Sequence, residues 1–532
     1  MHYAAARPGR SPAAQRAAGG GLPAPRGRAP SPVRTRSALR RAPLGGANTG
    51  SLDLTSLAAL ADAHPDNLEP PRGHLLRVLG GTTPQDEFLN VPEHPPATPW
   101  QPSAPCQAID DALKAGLLRP LTRAERRLLS CGRATLFPVW KRNGTARLIC
   151  HPVSLNGANR AIPCGLPDVQ AELAALFAAG NRVAVTLDGV GFFNQFPLHP
   201  DVGALFAAKV GERVLAPTAM PMGVRFAPAV AQRSLALVLR VAGLADVSVV
   251  WIDNVLIVAP DDATLKDRLA RFHAAATLVG LTYTEDERGQ DVDFLGAHLH
   301  WGTGLFNFTD RFRDKVAAID LDDLDLDLDD LQYTAGLANW VCRLARIPLV
   351  RVAPLLQALG TASSDPTLVV PVTPAMRLAW QFCQKAVQGS YLLCPRQPPM
   401  VSFNLFTDAS DLMGGMYVCG NYLPTCMGQW TWEDPGYHIN RKELAAVLRA
   451  LEILDLSDVS LPIGIDSMVV VAILQAGYSR SSDLCGTLEK IVDLCEERDI
   501  NLLPYWVPTD LNPADYPSRF PLGDDVPVVS LA

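Results

Sequence analysis

The chain has 532 residues, enough for three or four domains, and 48% of them are hydrophobic, which is ample for buried cores. No uninterrupted apolar run reaches the roughly 18–20 residues of a membrane span, because the most apolar stretch, 234–259, is broken by Arg240, Asp246 and Asp253; the 11 cysteines lie at least 7 residues apart with no CxxC pair, which argues against a zinc knuckle or a dense disulfide framework. The net charge of −7 hides an asymmetry: residues 1–50 carry nine arginines and no Asp or Glu, so the rest holds 38 basic against 54 acidic residues, and nucleic acid bound there has to meet local basic clusters.

In chain order, residues 1–100 are rich in Ala, Pro, Gly, Ser and Arg, show no sustained helical or strand period, and are expected to be mostly disordered. Such an Arg-rich start reads as an organelle transit peptide, a nucleic-acid-binding arm or a passive leader. From about 105 the texture becomes globular. Ile109, Leu113 and Leu117 predict an amphipathic helix, 134–140 a strand, and Asn143-Gly144 a turn into a second strand at 147–149. Strand and helix signals alternate to about 300. In the Asp/Leu run near 320, Leu321, Leu324, Leu328 and Leu331 share one helical face, predicting an amphipathic helix with a solvated acidic side. A calcium loop on Asp325, Asp327 and Asp329 is disfavoured, since Asp330 and Gly336 stand where such a loop needs Gly and Glu. A helical segment follows through 340–359, interrupted at Pro348 and Pro354, then a connection over 365–400 and a second globular unit over 402–522.

The chemistry concentrates in two places. Residues 183–187 (Val-Ala-Val-Thr-Leu) form a buried strand that delivers Asp188 at its end, ahead of Phe192-Phe193-Asn194-Gln195-Phe196-Pro197-Leu198. About 65 residues later, apolar strand halves at 247–251 and 255–258 flank Ile252-Asp253-Asn254, a hairpin whose tip presents a carboxylate. Asp-Asn is also an ordinary turn dipeptide, so the flanking pattern decides its meaning.

That pattern resembles the palm of a reverse transcriptase, in the retroelement branch holding the Gypsy-like and tyrosine-recombinase (DIRS-like) elements. Leu187-Asp188 through Leu198 matches the family's first metal motif, Met220-Pro221-Met222-Gly223-Val224 with Gln232 its loop and helix beneath the nucleotide, and Trp251-Ile252-Asp253-Asn254 its catalytic hairpin, where the family usually has Tyr-x-Asp-Asp. Phe294-Leu295-Gly296 resembles the turn that grips the primer end, and Lys141 and Arg147 with Leu155-Asn156 the fingers motif that holds triphosphate. The resemblance implies that Asp188 and Asp253 are catalytic metal ligands, that Lys141, Arg147, Phe193, Gly223 and Gln232 bind nucleotide, and that Phe193 is the gate against a ribose 2′-hydroxyl. Phosphoryl transfer by two divalent ions needs bridging carboxylates of this kind.

In the second unit a short strand at 403–406 runs into Asp408, His438 to Glu443 opens a helix, the strand at 463–465 ends at Asp466, and Asn512-Pro513-Ala514-Asp515 with Ser518-Arg519 closes the domain. This order resembles ribonuclease H as it follows the polymerase in retroelements, which implies that Asp408, Glu443, Asp466 and Asp515 are catalytic and bind metal. Clustered acids repel, and metal ions that neutralise them are the economical explanation.

Together the resemblances imply an α+β polymerase right hand (fingers, palm, thumb) followed by an α/β ribonuclease H-like domain: an arm over 1–100, fingers and palm over 101–300, thumb and connection over 301–400, ribonuclease H over 401–522 and a tail over 523–532. The implied cofactor is Mg2+, with Mn2+ as an alternative. The implied partners are an RNA template, a DNA primer, RNA–DNA hybrid, dNTPs and a recombinase or integrase encoded elsewhere in the element. No membrane is involved, and the location is cytoplasmic or nuclear. The competing reading is a degenerate or domesticated copy that binds RNA without catalysis.

Overall fold

The computed structural model describes residues 52–53, 55–57, 59 and 103–522, apart from 101–102 and the breaks 129–133, 141–143, 153–155, 157–163, 322–324, 366, 421–422 and 433–435. They form two compact units, one ending at Gly304 and one beginning at Leu305.

The first unit is organised by a βαββαβ sequence. Strand β3 (Val183–Gly189) leads to helix α3 (Ala227–Val241), then to the hairpin β4 (Ser248–Trp251) and β5 (Asn254–Ala259), helix α4 (Asp262–Leu278) and β6 (Tyr283–Gly289). The sheet order is β4-β5-β3-β6 and every neighbour is antiparallel, the ferredoxin-like arrangement of a split βαβ. β3 and β5 are buried almost throughout, in keeping with their largely apolar sequences, whereas β6 is an edge strand whose Thr284 to Arg288 stretch is exposed and mostly charged, which deters edge pairing. Helix α4 starts at Asp261, whose side chain accepts from Thr264 N at 2.8 Å.

Ahead of this core lie α1 (Gln107–Lys114), the antiparallel hairpin β1 (Thr135–Trp140) and β2 (Ala146–His151), and α2 (Val169–Ala178). Leu117 falls past the end of α1, but it is buried, so the apolar face is real and only the helix is shorter than the period suggested. Most of the 1–100 arm lies outside the described residues. Within it, however, Leu52 and Leu57 are buried in the core of this unit, and Leu52 N donates to Gln195 O at 2.9 Å. At this point of the arm Asp53 caps a turn by accepting from Thr55 N and Ser56 Oγ. After β6 comes a hairpin of β7 (Asp291–Phe294) and β8 (Ala297–His300).

The second unit opens with helices α5 (Asp310–Ala317), α6 (Leu328–Leu344), α7 (Ala353–Ser364) and α8 (Pro374–Ala386). The helix expected across 321–331 is corrected: 325–326 is a short extended pair, and α6 begins only at Leu328, because Asp327 is an N-cap whose carboxylate accepts from Asp330 N at 2.9 Å. Pro354 occupies the first turn of α7, where its missing N–H costs nothing. The rest is a five-stranded mixed sheet: β9 (Phe403–Ala409), β10 (Met413–Gly420), β11 (Leu423–Thr431), α9 (Ile439–Leu454), β12 (Val459–Ile465), α10 (Met468–Ala476), α11 (Ser482–Glu497), β13 (Ile500–Trp506) and the closing α12 (Asp515–Arg519). Its order is β11-β10-β9-β12-β13, with an antiparallel meander on one side and parallel strands, reached by helical crossovers, on the other. Arg351, just ahead of α7, is nearly buried and meets Asp493 at 2.6 Å and Glu496 at 2.7 Å, both on α11.

Candidate active sites

In the first unit, β3 and β5 run side by side with Asp188 opposite Asn254, so Asp188 at the end of one strand and Asp253 in the turn before the other come to the same end of the sheet. The turn is held from below. Gln232 of α3 is buried; its Oε1 accepts from Ile252 N at 2.7 Å and its Nε2 donates to Val250 O at 3.1 Å. Ile252 has a φ of +62°, a conformation a β-branched residue rarely takes, and the amide clamp compensates for it. Both ends of the Gln232 amide thus meet the backbone of the hairpin that carries Asp253.

The loop after Asp188 is fixed in the same way. Gln195 is fully buried and bridges Val190 O and Thr282 O from Nε2, each at 2.9 Å, while its Oε1 accepts from Thr282 N at 2.8 Å. Burial pushes the Asp253 carboxyl above the usual carboxylate range; Arg147, and Asn254, whose Nδ2 donates to Asp253 Oδ1 at 3.1 Å, offset part of that rise. Tyr283, opposite Gly189 on β6, has a buried hydroxyl with no hydrogen-bond partner, and burial followed by the charges of Asp253 and Asp188 raises its pKa well above the normal phenol value.

A cleft opens over this end of the sheet. Its walls include Arg147, Asp188, Asp253, Phe192, Asn194 and Met222. Arg147 is exposed on β2 and brings a guanidinium to an acidic floor. Lys141 lies outside the described residues. Gly223 has a φ of +100°, and a Cβ there would stand 2.0 Å from Cys150 O, so the 220–224 loop presses its backbone onto β2 in a way only glycine allows. Asn156 completes the seam, donating to Gly223 O at 2.8 Å and accepting from Arg225 N at 3.0 Å.

Phe192 and Phe193 both lie in the short 3-10 turn Phe192–Gln195 that follows Gly191, whose φ is +55°; both are buried, Phe192 more deeply than Phe193, and Phe192 borders the cleft. Phe192 is braced by Phe196 at 5.1 Å and Tyr283 at 5.6 Å between ring centroids.

In the second unit, β9 and β12 are parallel neighbours, with Thr407 beside Ile465, so Asp408 and Asp466 emerge at the same sheet end. Glu443 comes from α9, one turn in from its N-terminus. Carboxylate oxygens of Asp408, Glu443 and Asp466 lie within 4.8 Å of one another. Asp408 and Glu443 are buried, and Glu443 Oε2 has no partner. Burial, then the neighbouring carboxylates, push Glu443 up to about 9. Asp408 is pushed up to about 6 by burial, against the opposing hydrogen bond from Ser518 Oγ. Asp515, on α12, sits outside that trio and pairs with Arg519 at 2.6 Å, although its charge still reaches Asp408. The closing helix fits because residue 415 is glycine: a Cβ there would stand 2.6 Å from Ser518 N.

Two supporting residues were not singled out from sequence. Lys442 is buried beside Glu443 and donates to Asp411 O at 3.1 Å and Asp411 Oδ1 at 3.2 Å, fixing the loop after Asp408. Ser518 was visible only as part of the closing motif, since nothing in a lone serine announces a bond to a carboxylate 110 positions away.

No protein-family model matches the chain, and no curated protein matches it. Among solved structures it is similar to foamy viral protease-reverse transcriptases: one in complex with double-stranded DNA (17% identity, 84% of this chain and 81% of that chain, TM-score 0.46), one with RNA/DNA hybrid (16%, 88% and 65%, 0.45) and another with double-stranded DNA (15%, 88% and 99%, 0.44). At TM-scores below 0.5 these likenesses carry no argument; the chain's own geometry does. Among the described residues no helix is long and apolar enough to cross a membrane.

Proposed function

We propose that the chain is an RNA-directed DNA polymerase of a retroelement that also cleaves the RNA of an RNA–DNA hybrid. The observation that carries this reading is the pairing of chemistries in one chain: Asp188 and Asp253 meet on a cleft with Arg147, and a separate unit gathers Asp408, Glu443 and Asp466 with an orphaned buried oxygen on Glu443. The order of motifs in the sequence, resembling the DIRS-like and Gypsy-like branch, supports the same reading.

A buried carboxylate oxygen without a partner, among acids that repel one another, fits a divalent cation better than it fits a structural role. Asp188 and Asp253 would hold Mg2+ in the first unit, and Asp408, Glu443 and Asp466, with Asp515 beside them, in the second; Mn2+ suits the same oxygen donors. Bound there, such ions activate an attacking oxygen and neutralise a leaving one. The protein's own groups do the rest. Arg147 offers the cleft a guanidinium for triphosphate oxygens. Gln232 and Gln195 hold the two carboxylate-bearing loops, so their geometry is set before substrate arrives. Phe192 forms an apolar wall. In the second unit Ser518 donates to Asp408 and leaves its other oxygen available, while Lys442 anchors the loop that follows.

The partners on this reading are an RNA template, a DNA primer, dNTPs and RNA–DNA hybrid, with a recombinase or integrase supplied by another chain. The test is primer extension on an RNA template with Mg2+ or Mn2+, alongside cleavage of a labelled hybrid. Extension lost in Asp253→Asn and cleavage lost in Asp408→Asn, each sparing the other activity, is the expected result. RNA binding with neither activity in the wild type would overturn the reading in favour of a copy that has lost catalysis.

A further inference from the structure

The β7–β8 hairpin carries a second kind of donor set. Its strands alternate: Val292, Phe294, Ala297 and Leu299 are buried, and Asp291, Asp293, His298 and His300 project from the other face. The register places Asp291 opposite His300 and Asp293 opposite His298. These cross-strand pairs are in contact, His300 Nδ1 to Asp291 Oδ1 at 2.7 Å and His298 Nδ1 to Asp293 Oδ1 at 2.6 Å, and the two imidazoles meet edge to face with centroids 4.6 Å apart. One donor atom from each of Asp291, His298 and His300 lies within 4.8 Å of the others.

We propose that this face is a binding site for a borderline transition-metal cation of the zinc class, distinct in chemistry from the all-carboxylate clusters. Two imidazoles and a carboxylate suit Zn2+, whereas Mg2+ prefers an all-oxygen shell. Donors around a tetrahedral zinc stand about 3.3 Å apart, so small rotamer adjustments close the present spacing. Asp293 does not join the trio. It holds His298 through Nδ1, which leaves Nε2 as the ligating atom, the carboxylate–histidine–metal arrangement that fixes ring and tautomer. The metal takes the place of the Nδ1 proton that bridges His300 and Asp291; from a neutral ring that proton reappears on Nε2, and from an imidazolium it leaves to solvent. Three protein donors leave one position of the shell to water. The cation would lock the two strands together behind the Leu295–Gly296 turn, where both residues have positive φ. None of this depends on the polymerase reading.

The experiment titrates Zn2+ into the full-length, chelator-treated protein by calorimetry, with excess Mg2+ present to occupy the carboxylate clusters, and repeats it with Co2+ to read the visible absorption of a low-symmetry nitrogen and oxygen shell. One equivalent of Zn2+ is expected. His300→Asn and His298→Gln should each lower its affinity at least tenfold and abolish the Co2+ band, and Asp293→Asn should lower it by about 10–100-fold. Asp291→Asn changes a largely exposed residue and guards against a histidine variant that fails to fold; it should weaken binding as well. No binding by the wild type, or equal affinity in the wild type and in the folded variants, overturns the proposal.

Discussion

Gln232 on α3 accepts a hydrogen bond from the backbone N–H of Ile252 at 2.7 Å, and Ile252 holds the φ of +62° that sets Asp253 at the tip of the β4–β5 turn. A residue 20 positions upstream therefore decides where a carboxylate points. Gln232→Leu keeps the volume but strands the Ile252 N–H and the Val250 carbonyl, at a cost of about 1–3 kcal/mol. Thermal unfolding should register that loss. Primer extension should fall through kcat with little change in the KM for dNTP, because the side chain reaches no ligand. A selective rise in KM would return Gln232 to the nucleotide.

Asn254 donates to Asp253 from 3.1 Å, and Asn254→Asp turns that contact into two facing carboxylates. Without metal, the already raised Asp253 pKa should rise further and the protein should lose stability. With metal, the extra charge should lower the Mg2+ concentration that half-saturates extension. An unchanged half-saturation in the magnesium titration would put position 254 outside the metal sphere.

Of the two adjacent phenylalanines Phe193 is the less deeply buried, and Phe192 is packed between Phe196 and Tyr283. Phe193→Ala should therefore shift the ratio of ribonucleotide to deoxynucleotide incorporation toward ribonucleotides, and Phe192→Leu should leave it where it is. Phe192→Ala, removing a core ring, should cost about 3–5 kcal/mol in unfolding free energy. Competition assays with paired substrates distinguish the two aromatics, and a response confined to Phe192→Leu would reverse the assignment.

Glu443 stands at about 9 in the folded protein against an ordinary value of 4.5. The folded state thus binds a proton that the unfolded state releases between those values. Its contribution to metal-free stability is fully present below about 4.5 and is lost as pH rises toward 9. The apparent Tm of the metal-free protein should fall across that window. Glu443→Gln should flatten the slope, and saturating Mg2+ should remove it in the wild type by binding the ionised form. A metal-free Tm that rises with pH through this range would contradict the buried, protonated state.

The strands that carry the acids were legible because the signals are local. Val183 to Leu187 and Val255 to Val258 are buried strand runs, the first abutting Asp188 and the second starting two residues after Asp253. The same holds for Ile463 to Ile465 ahead of Asp466. What escaped were effects of backbone hand and of distance. Gly223 takes a φ of +100° that brings its backbone onto Cys150 of β2, and no period in the sequence encodes that. Leucine spacing suggested a helix from 321, but Asp327 competes for backbone N–H groups and delays the start of α6 to Leu328. Gln232 had a signal in hindsight: it is a long polar side chain in the mostly apolar α3, between Val230 and Leu235. Lys442, a buried cation next to an acid, had none.

The bond from Ser518 to Asp408 also sets an order of events during synthesis. Translation delivers the four-stranded sheet with Asp188 and Asp253 long before residue 518 emerges. Until then Asp408 lacks its hydroxyl donor, and β10 lacks the helix that Gly415 is small enough to admit. The Asp408–Glu443–Asp466 cluster should therefore mature last. On the proposed function, a nascent chain stalled shortly before α12 would copy RNA without being able to destroy it.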